Sequence, residues 1–337
     1  MGLNVAIIGC GLIGTKRFKA MGPEHRLIAT ADVDANRAKQ LGSLSSHLQY
    51  SGADWRTAVG RPDVDTVIVA TTNAVLATIA SEAVRQGKHV LVEKPAARNA
   101  AELAEVVASA KYSPGSIVKV GFNHRFHPAM LKAREIFDAG GVGPLMFIRG
   151  RYGHGGRVGY DREWRADPVM AGGGELLDQG VHLIDLSQWF LGEFTEAWGQ
   201  VGTFFWDMKV DDNGFACLKT GAGQIAWLHA SCSEWKNLFC LEIYGKTGKL
   251  QIDGLGGSYG VERLSYYRML PQMGPPETTI WEYPGEDRSF VAEFAHFAQC
   301  VAEKKEPMSG LRETMAVLEI VQRIYDQNSR SDKSDPT

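Results

Sequence analysis

The chain has 337 residues, of which 44% are hydrophobic and 22% are charged, so it has enough apolar material for two folded domains and is not a disordered chain. Its 36 basic and 39 acidic residues give a net charge of −3, which excludes a strong positive field for nucleic acid or an anionic membrane. The 5 cysteines are widely spaced and form no C-x-x-C motif, which favours a reducing compartment without a disulfide framework.

The first third of the chain alternates short apolar runs with helical patterns, which predicts a parallel sheet covered on both faces. The predicted strands are 4–8, 25–32, 64–71, 89–92 and 117–121, and the predicted helices begin at Gly11 and cover 36–41, 77–86 and 100–110. No apolar run reaches the ~18 residues of a membrane span, and the apolar N-terminus lacks the basic segment of a signal peptide. We therefore expect a cytoplasmic protein with no membrane or nucleic-acid partner.

After about residue 140 the pattern changes to long runs with a period of two residues, which predicts a mainly antiparallel sheet. These runs are 145–152, 195–206, 214–220, 224–234, 238–245 and 249–253, and helices are predicted at 175–191, 289–303 and 312–327. The expected architecture is a doubly wound Rossmann domain over residues 1–122 and an α+β domain over residues 123–337. We expect the second domain to bind substrate and form oligomers, and its last helices can pack back on the first domain.

A glycine motif of the form G-x-G-x-x-G follows the first predicted strand and opens a helix. Gly9 suits the turn, Gly11 lets the backbone approach a pyrophosphate, and Gly14 lets the helix pack on the strand. The backbone around Leu12 and Ile13 then presents the helix N-terminus to the phosphates. This context predicts a dinucleotide site.

Asp32 ends the second predicted strand, at the spacing expected for an acid that binds the ribose hydroxyls of NAD. Its negative charge would repel the additional phosphate of NADP. Arg37 is an argument for NADP, because an arginine near this acid can bind the additional phosphate. The balance favours NAD over NADP.

Glu93, Lys94 and Pro95 follow the predicted strand 89–92, where strand ends face the ligand crevice of a doubly wound sheet. Lys94 can act as an acid or base, or hold an alkoxide, and Glu93 can pair with Lys94 or face the cofactor. The alternative is a surface turn with a chance ion pair. We also predict that the Lys94–Pro95 bond is cis, because only X–Pro bonds adopt cis at low cost.

Three consecutive glycines, 172–174, precede a predicted helix on which Asp178 and His182 are four residues apart and share a face. The glycines suit a close approach by a ligand. Asp178 can instead cap the helix, and His182 can be a hydrogen-bonded core residue. The pair also has metal-ligand spacing, but no clear third ligand is present, so we expect no metal.

These motifs, in this order and at this spacing, resemble the Gfo/Idh/MocA family of sugar and cyclitol oxidoreductases. The stretches 80–95 and 121–128 are further matches, and the resemblance covers nearly the whole chain. It implies a Rossmann domain followed by an open antiparallel sheet, with Lys94, Asp178 and His182 against the substrate hydroxyl and the nicotinamide. It also implies a cofactor turn at Thr71, Thr72 and Asn73, where Thr72 replaces the usual proline.

The expected substrate contacts come from four parts of the sequence, two of which contain Lys94 and the pair Asp178 and His182. Asn123 and Arg125 lie in the matched stretch 121–128, and the segment 151–165 is rich in glycine, arginine and aromatic residues. A loop of that composition suits an anionic or polyhydroxylated ligand, or else a contact between subunits. The complete expected substrate set is Lys94, Asn123, Arg125, Tyr152, Trp164, Arg165, Asp178 and His182.

The predicted activity is NAD-dependent oxidation of a secondary hydroxyl of a sugar, a sugar derivative or a cyclitol. His182 would remove the hydroxyl proton, and Asp178 would orient His182 or hold an adjacent hydroxyl. Lys94 would stabilise the alkoxide or take the proton itself. One alternative is a relative that uses NAD transiently, for glycoside cleavage or internal redox exchange. The other is a non-catalytic redox sensor that only binds the dinucleotide.

The predicted strand 224–234 carries apolar side chains on both faces, which leaves a patch larger than a monomer usually exposes. Phe204, Trp206, Phe239 and Leu241 are expected to enlarge this patch. The simplest cover is the same sheet of a second subunit, giving a homodimer or a homotetramer. The alternative is that the segment after Gly254 folds back over the patch.

Overall fold

The computed structural model describes residues 2–331, which form two compact units. The first unit runs up to Asn123 and also contains Val169–Gly172 and Phe290–Met315. The second unit contains His124–Pro168, Gly173–Ser289 and the chain from Ala316 onward. The chain thus first leaves the first unit one residue after the expected boundary, and it later returns to that unit twice.

The first unit contains a six-stranded parallel sheet with the order β3-β2-β1-β4-β5-β6. Its strands are β1 (Asn4–Ile8), β2 (Arg26–Ala31), β3 (Tyr50–Gly52), β4 (Thr66–Val69), β5 (His89–Glu93) and β6 (Val118–Gly121). The helices between them are α1 (Leu12–Ala20), α2 (Ala35–Gly42), α3 (Trp55–Val59), α4 (Asn73–Arg85) and α5 (Ala100–Tyr112). This order confirms the predicted doubly wound fold and puts its switch point between β1 and β4.

Local sequence explains most of these elements. The strands β4 and β5 are almost entirely buried, as expected for unbroken Val/Ile runs covered on both faces. Helix α2 begins after Asp34, whose carboxylate accepts the Asn36 N–H at 2.9 Å, and α5 begins after Asn99, which accepts the Glu102 N–H at 2.9 Å. The sequence analysis missed β3 and α3, because three and five residues are too few to show a period.

A late helix, α9 (Ser289–Glu303), completes the core of the first unit. Its Phe294 and Phe297 are 1% and 0% exposed and pack in one cluster with residues of β1, β2, β4 and β5. Truncating such a buried ring to alanine typically costs about 3–5 kcal/mol. Helix α9 is therefore part of the hydrophobic core of the first unit.

The second unit contains an eight-stranded sheet with the order β14-β13-β12-β11-β7-β10-β9-β8. All neighbours are antiparallel except β7 and β10, which confirms the mainly antiparallel prediction. Its strands are β7 (Leu145–Gly153), β8 (Phe194–Gly202), β9 (Asn213–Thr220), β10 (Ile225–Ser231), β11 (Leu238–Gly245), β12 (Gly248–Asp253), β13 (Glu262–Arg268) and β14 (Glu277–Tyr283). The remaining helices are α6 (Pro128–Asp138), α7 (Pro168–Ala171), α8 (Val181–Leu191) and α10 (Leu311–Ser331).

In this unit, one alternative from the sequence analysis is excluded and one predicted helix differs in detail. The segment after Gly254 adds β13 and β14 to one end of the sheet and does not fold back over it. The predicted helix 175–191 begins with a π-helical turn, Leu176–Gly180, and becomes α-helical only at α8. Among the described residues, no helix is both long and apolar enough to cross a membrane.

The two faces of the sheet differ in burial. Along β10, Ala226, Leu228 and Ala230 are buried, whereas Ile225 and Trp227 are 40% and 52% exposed. Helix α8 packs against β7 and β10 and covers the buried face. Phe239 and Leu241 were expected on the uncovered face but are 2% and 0% exposed. That expectation was wrong because the pleat of β11 turns both side chains into the core.

Candidate active site

The three glycines of the first loop have different structural roles. A Cβ added to Gly9, which has a φ of 91°, would lie 2.4 Å from the Ala70 carbonyl oxygen. A Cβ at Gly14 would lie 2.0 Å from the Gly9 oxygen, whereas one at Gly11 would meet no described atom within 4 Å. Gly9 and Gly14 are therefore required by the fold, and the space at Gly11 fits a bound pyrophosphate.

The Asp32 carboxylate closes this loop. It accepts the Cys10 N–H at 2.7 Å and the Asp34 N–H at 2.9 Å. Arg37 is exposed and its nearest acidic partner is Asp34, at 3.6 Å. Gly11 is the N-cap of α1 and has no side chain to bind the first-turn amides, which include those of Leu12 and Ile13. These residues fit the phosphates and the ribose of NAD.

The turn after β4 holds the three residues expected beneath the cofactor. The Thr71 hydroxyl donates to the Thr72 carbonyl at 3.3 Å, and Thr72 is the N-cap of α4. The Asn73 side chain is buried and donates to the Ala171 carbonyl at 2.9 Å. The Asn73 side chain therefore joins the start of α4 to the backbone at Ala171.

The Lys94–Pro95 bond is cis, which confirms the prediction. Glu93 is buried, and its ionic partner is Arg17 of α1, with Nε 2.5 Å from Oε1. Arg17 also donates from Nη1 to Glu293 of α9 at 2.5 Å. Burial raises the pKa of Glu93, while Arg17 opposes that rise. The expectation that Glu93 would pair with Lys94 or face the cofactor missed this partner.

A second cation joins this group, which we call the Arg17 cluster: Arg17, Glu93, Lys119 and Glu293. Lys119 Nζ lies 3.5 Å from Glu293 Oε1 and donates to the Met308 carbonyl at 2.7 Å. Burial opposes the charge of Arg17, but the two carboxylates raise its pKa. The cluster ties α1, β5, β6 and α9 together directly beside Lys94.

In the second unit, the backbone before the π-turn is held by Asp211. Its carboxylate accepts the N–H groups of Gly174 and Leu176 at 3.0 and 2.8 Å, and the Tyr325 hydroxyl at 2.8 Å. A Cβ at Gly174 would lie 1.9 Å from the Asp211 carbonyl oxygen. This glycine therefore makes room for the protein's own backbone, where the sequence analysis expected a ligand.

His182 lies on the first turn of α8 and is 3% exposed. Its ring stacks on His124, with centroids 3.8 Å apart, and meets the ring of Tyr152 edge-on at 5.9 Å. Tyr152 also contacts Tyr259, with ring centroids 5.5 Å apart. The ring of the predicted base is thus packed against another imidazole and against one tyrosine ring.

Asp178 lies in the π-turn and forms an ion pair with Arg165, whose Nε is 3.1 Å from Oδ2. Burial opposes the charge of Arg165, but Asp178 raises its pKa. The guanidinium of Arg165 also lies over the ring of Trp164, 4.5 Å from its centroid. The structure therefore brings together Asp178 and two of the residues predicted from the segment 151–165.

Arg125 was predicted to contact the substrate, but in the structure its side chain is paired with Asp185. Its guanidinium is buried and binds Asp185 through two contacts of 2.8 and 2.6 Å. This paired geometry makes Arg125 an internal support of α8 and leaves it poorly placed as a substrate contact. Asn123 belongs to the first unit, where it is 8% exposed at the start of a short 3-10 turn.

Several residues near His182 and Asp178 were not predicted as site residues: His124, His154, Tyr160, Glu175 and Tyr259. The Tyr160 hydroxyl donates to Glu175 Oε1 at 2.8 Å, and His154 Nε2 lies 3.6 Å from the same oxygen. Burial and the neighbouring Asp178 raise the pKa of Glu175 to about 8. Burial also raises the pKa values of Tyr152, Tyr160 and Tyr259, so their hydroxyls remain neutral donors.

The Rossmann topology, the glycine loop and the acid at the end of β2 define a dinucleotide-binding oxidoreductase. A family model described as "Oxidoreductase family, NAD-binding Rossmann fold" matches residues 3–122, and the GFO/IDH/MocA C-terminal domain matches residues 130–251. The chain belongs to the GFO/IDH/MocA oxidoreductase family, and its first domain is that family's NAD-binding fold.

Two curated relatives and one solved structure show how close the similarity is. Levoglucosan dehydrogenase of Pseudarthrobacter phenanthrenivorans is 29% identical over 66% of this chain, and the match spans 59% of that protein's length. The scyllo-inositol 2-dehydrogenase (NAD(+)) of Bacillus subtilis is 25% identical over 91% of this chain and 88% of its own length. A structure of levoglucosan dehydrogenase with NADH and levoglucosan shares the fold, with a TM-score of 0.87, 22% identity and 98% coverage of both chains.

Proposed function

We propose that the protein is an NAD-dependent dehydrogenase that oxidises a secondary hydroxyl of a sugar, a sugar derivative or a cyclitol. The observation that carries this proposal is the stacked His182–His124 pair beside Tyr152, one turn from the Asp178–Arg165 ion pair. It offers a proton acceptor among neutral hydroxyl donors, which suits a polyhydroxylated substrate. Levoglucosan and scyllo-inositol, after which two relatives are named, are cyclic polyols and support the same class.

The residues of the first unit fit the cofactor. Bound NAD supplies the hydride acceptor of the reaction. The open space at Gly11 and the first-turn amides of α1 would hold the pyrophosphate, and Asp32 would accept hydrogen bonds from the ribose hydroxyls. Because a carboxylate at that position repels a 2′-phosphate, NAD is preferred over NADP.

We assign the proton transfer to His182. The stacked ring of His124 fixes the plane of the imidazole, so that its nitrogen atoms keep one direction toward the substrate hydroxyl. Asp178 supplies a negative charge that Arg165 holds in place. For Lys94 we keep the role that the sequence predicts, which is to stabilise negative charge on the substrate oxygen or to take the proton itself.

The pairing of the arginines favours a neutral substrate over an anionic one. Arg165 pairs with Asp178, and Arg157 donates to Glu163 at 2.6 Å. Arg151 lies on the exposed face of β7, in register with His229. Arginine side chains that already have carboxylate partners bind a phosphate or a sugar acid less readily, so we propose a neutral polyol.

The test is a panel of inositols, free aldoses, anhydrosugars and nucleotide-linked sugars, with NADH absorbance as the measurement. We expect steady NADH formation with a neutral ring polyol, a preference for NAD over NADP, and a loss of about 10²-fold or more in kcat for His182→Ala and Lys94→Ala. NAD affinity should change little in His182→Ala. Binding of NAD without net turnover of any member would contradict the proposal and favour transient cofactor use or a redox sensor.

We also propose that the chain forms a homodimer, or a tetramer of such dimers, through the uncovered face of the second sheet. Trp198, Trp227 and Ile225 are 55%, 52% and 40% exposed there, and Phe147 stacks on Tyr244 with centroids 4.4 Å apart. Light scattering at micromolar concentration should return a multiple of the monomer mass, and Trp227→Lys should reduce that mass. A monomeric wild-type chain would contradict the proposal.

A cytoplasmic location is the last part of the proposal. All five cysteines are free thiols, and four of them are buried. Free thiols in a chain of this size are typical of a reducing compartment. Fractionation of the source cells, with activity as the marker, tests this location.

A further inference from the structure

Glu175 is a buried carboxyl that the mechanism above does not use. It lies directly before the π-turn, three residues ahead of Asp178, and is 2% exposed. Its Oε1 accepts the Tyr160 hydroxyl at 2.8 Å. Its Oε2 has no hydrogen-bond partner among residues 2–331.

Most of the titratable groups around Glu175 are acidic or neutral, and they are Tyr152, His154, Tyr160, Asp178, Asp211, Cys232 and Tyr259. Asp178 and Asp211 raise the pKa of Glu175 by like charge, while Tyr160 and Cys232 lower it. His154 is the only imidazole in this set, with Nε2 3.6 Å from Oε1. In the described part of the chain, no lysine or arginine lies within ion-pair distance of Glu175, and the nearby Arg165 is bound to Asp178.

Burial and a neighbouring carboxylate both disfavour the charged form of a carboxyl, and Glu175 has no cation partner among the described residues to offset them. Such a carboxyl keeps its proton at pH values at which a solvent-exposed carboxyl has lost it. Burial is the larger cause and the charge of Asp178 is the next, and together they raise the pKa of Glu175 to about 8. Near neutral pH, Glu175 therefore keeps its proton, while the neighbouring Asp178 is paired with Arg165.

Glu175 and Asp178 also fasten the same loop. Tyr160 and Arg165 both belong to the segment 154–165, and they bind Glu175 and Asp178 respectively. The π-turn that precedes His182 is therefore joined to this loop at two points. Only the Asp178 contact carries a formal charge pair.

We propose that Glu175 is a positioning residue that stays protonated at neutral pH and docks the segment 154–165 on the turn that carries Asp178. The role rests on the proposed dehydrogenase function and names a further residue for the same site. Ionisation of Glu175 puts a second negative charge beside Asp178. That charge competes for Arg165 and opposes the negative charge that develops on the substrate oxygen, so kcat/KM falls at alkaline pH.

The first test is the pH profile of kcat/KM for the full chain with its best polyol substrate. Wild type should lose activity along an alkaline limb near pH 8, and Glu175→Gln, which keeps the shape but cannot ionise, should lack that limb. Tyr160→Phe removes a donor that stabilises the ionised form, so its limb should move to higher pH. Glu135→Gln, an exposed carboxylate on α6, should match wild type. An unchanged limb in Glu175→Gln would overturn the proposal.

The second test needs no substrate, so it separates this proposal from the dehydrogenase proposal. A group whose pKa is raised by folding, here from 4.5 to about 8, destabilises the folded state progressively as the pH rises between those values. The unfolding temperature of Glu175→Gln relative to wild type should therefore increase from pH 5 to pH 8 and then level off. A difference that is constant across this range would refute the protonated Glu175. A growing difference in a chain that oxidises no polyol would support it and reject the dehydrogenase.

Discussion

The two units bury carboxylates in different ways. The Arg17 cluster sets two carboxylates, Glu93 and Glu293, against two cations, and each carboxylate has a cation within 3.5 Å. We call the other group the Glu175 cluster: Tyr160, Arg165, Glu175 and Asp178. It sets two carboxyls against one arginine, so one carboxyl is left with a phenol hydroxyl.

The Arg17 cluster is a support made of paired charges, whereas the Glu175 cluster contains a carboxyl that titrates at about pH 8. In the Arg17 cluster, two cations face two carboxylates, and Arg17 opposes the rise that burial causes in the pKa of Glu93. In the Glu175 cluster, Glu175 itself has no lysine or arginine partner among the described residues, so this buried carboxyl keeps a proton instead. The first arrangement suits a support beside Lys94, and the second suits a turn next to His182, the proposed proton acceptor.

The largest expected effect comes from breaking the balanced cluster. Arg17→Met leaves Glu93 and Glu293 buried without their arginine, so the free energy of unfolding should fall by about 3–5 kcal/mol. Urea denaturation measures this loss. Arg37→Met is the matched control, because Arg37 is exposed and pairs with Asp34 at 3.6 Å; its cost should stay below about 1 kcal/mol. Similar costs for the two variants would show that the cluster is not a stabilising support.

Removing the cation of the unbalanced cluster should affect activity more than stability. Arg165→Met removes the ion pair that helps to position Asp178, and a displacement of about 1 Å at a catalytic group can cost about 10²-fold in kcat/KM. Because the Arg165 side chain is 32% exposed, the loss of stability should be only about 1 kcal/mol. Steady-state kinetics and urea denaturation provide the two measurements. Arg157→Met, whose pair with Glu163 is at the surface of the same loop, should retain near-normal kinetics.

A milder change in the Arg17 cluster sharpens the comparison. Glu293→Gln keeps the shape of the side chain and leaves Arg17 with Glu93, so unfolding should become easier by only about 2 kcal/mol. Thermal unfolding at pH 7 measures the effect. A loss as large as that of Arg17→Met would mean that Glu293, and not the arginine, organises the cluster.

The smallest expected effect is a shift in a titration. Asp178 raises the pKa of Glu175 by like charge, second only to burial. Asp178→Asn should therefore lower the pKa of Glu175. The stability gained by adding Glu175→Gln should then level off at a lower pH in the Asp178→Asn protein than in wild type. Unfolding temperatures across pH 5 to 9 test this, and an unchanged plateau would contradict the coupling.

The parts of the molecule that depend on neighbours in sequence were predictable. The glycine loop, Asp32 and the cis Lys94–Pro95 bond are encoded within a few residues each, and the structure has them as expected. The same holds for the long strands of the second sheet. The weakly apolar β14, in which four consecutive residues are exposed, offered no alternating pattern to read.

Contacts between distant residues could not be predicted in the same way. Arg17 and Glu293 are 276 positions apart in the sequence. The residues around Glu93 therefore gave no indication that Arg17 would also bind a second carboxylate, from α9. The π-turn also has no periodic signature, because it differs from an α-helical turn by a single residue. Glu175 stood inside a recognised motif, but only its burial beside Asp178 made it significant.

Helix α9 has a consequence for how the chain is made. The ribosome releases β1 to β6 early, yet Phe294 and Phe297, which complete the core beneath them, emerge only after the whole second sheet has been synthesised. Until α9 has been synthesised, part of the apolar core of the Rossmann sheet therefore stays exposed. Partly folded chains with exposed apolar surface aggregate readily. A fragment cut after Asn123 would keep the cofactor loop but would lack this helix, so it would be a poor autonomous domain.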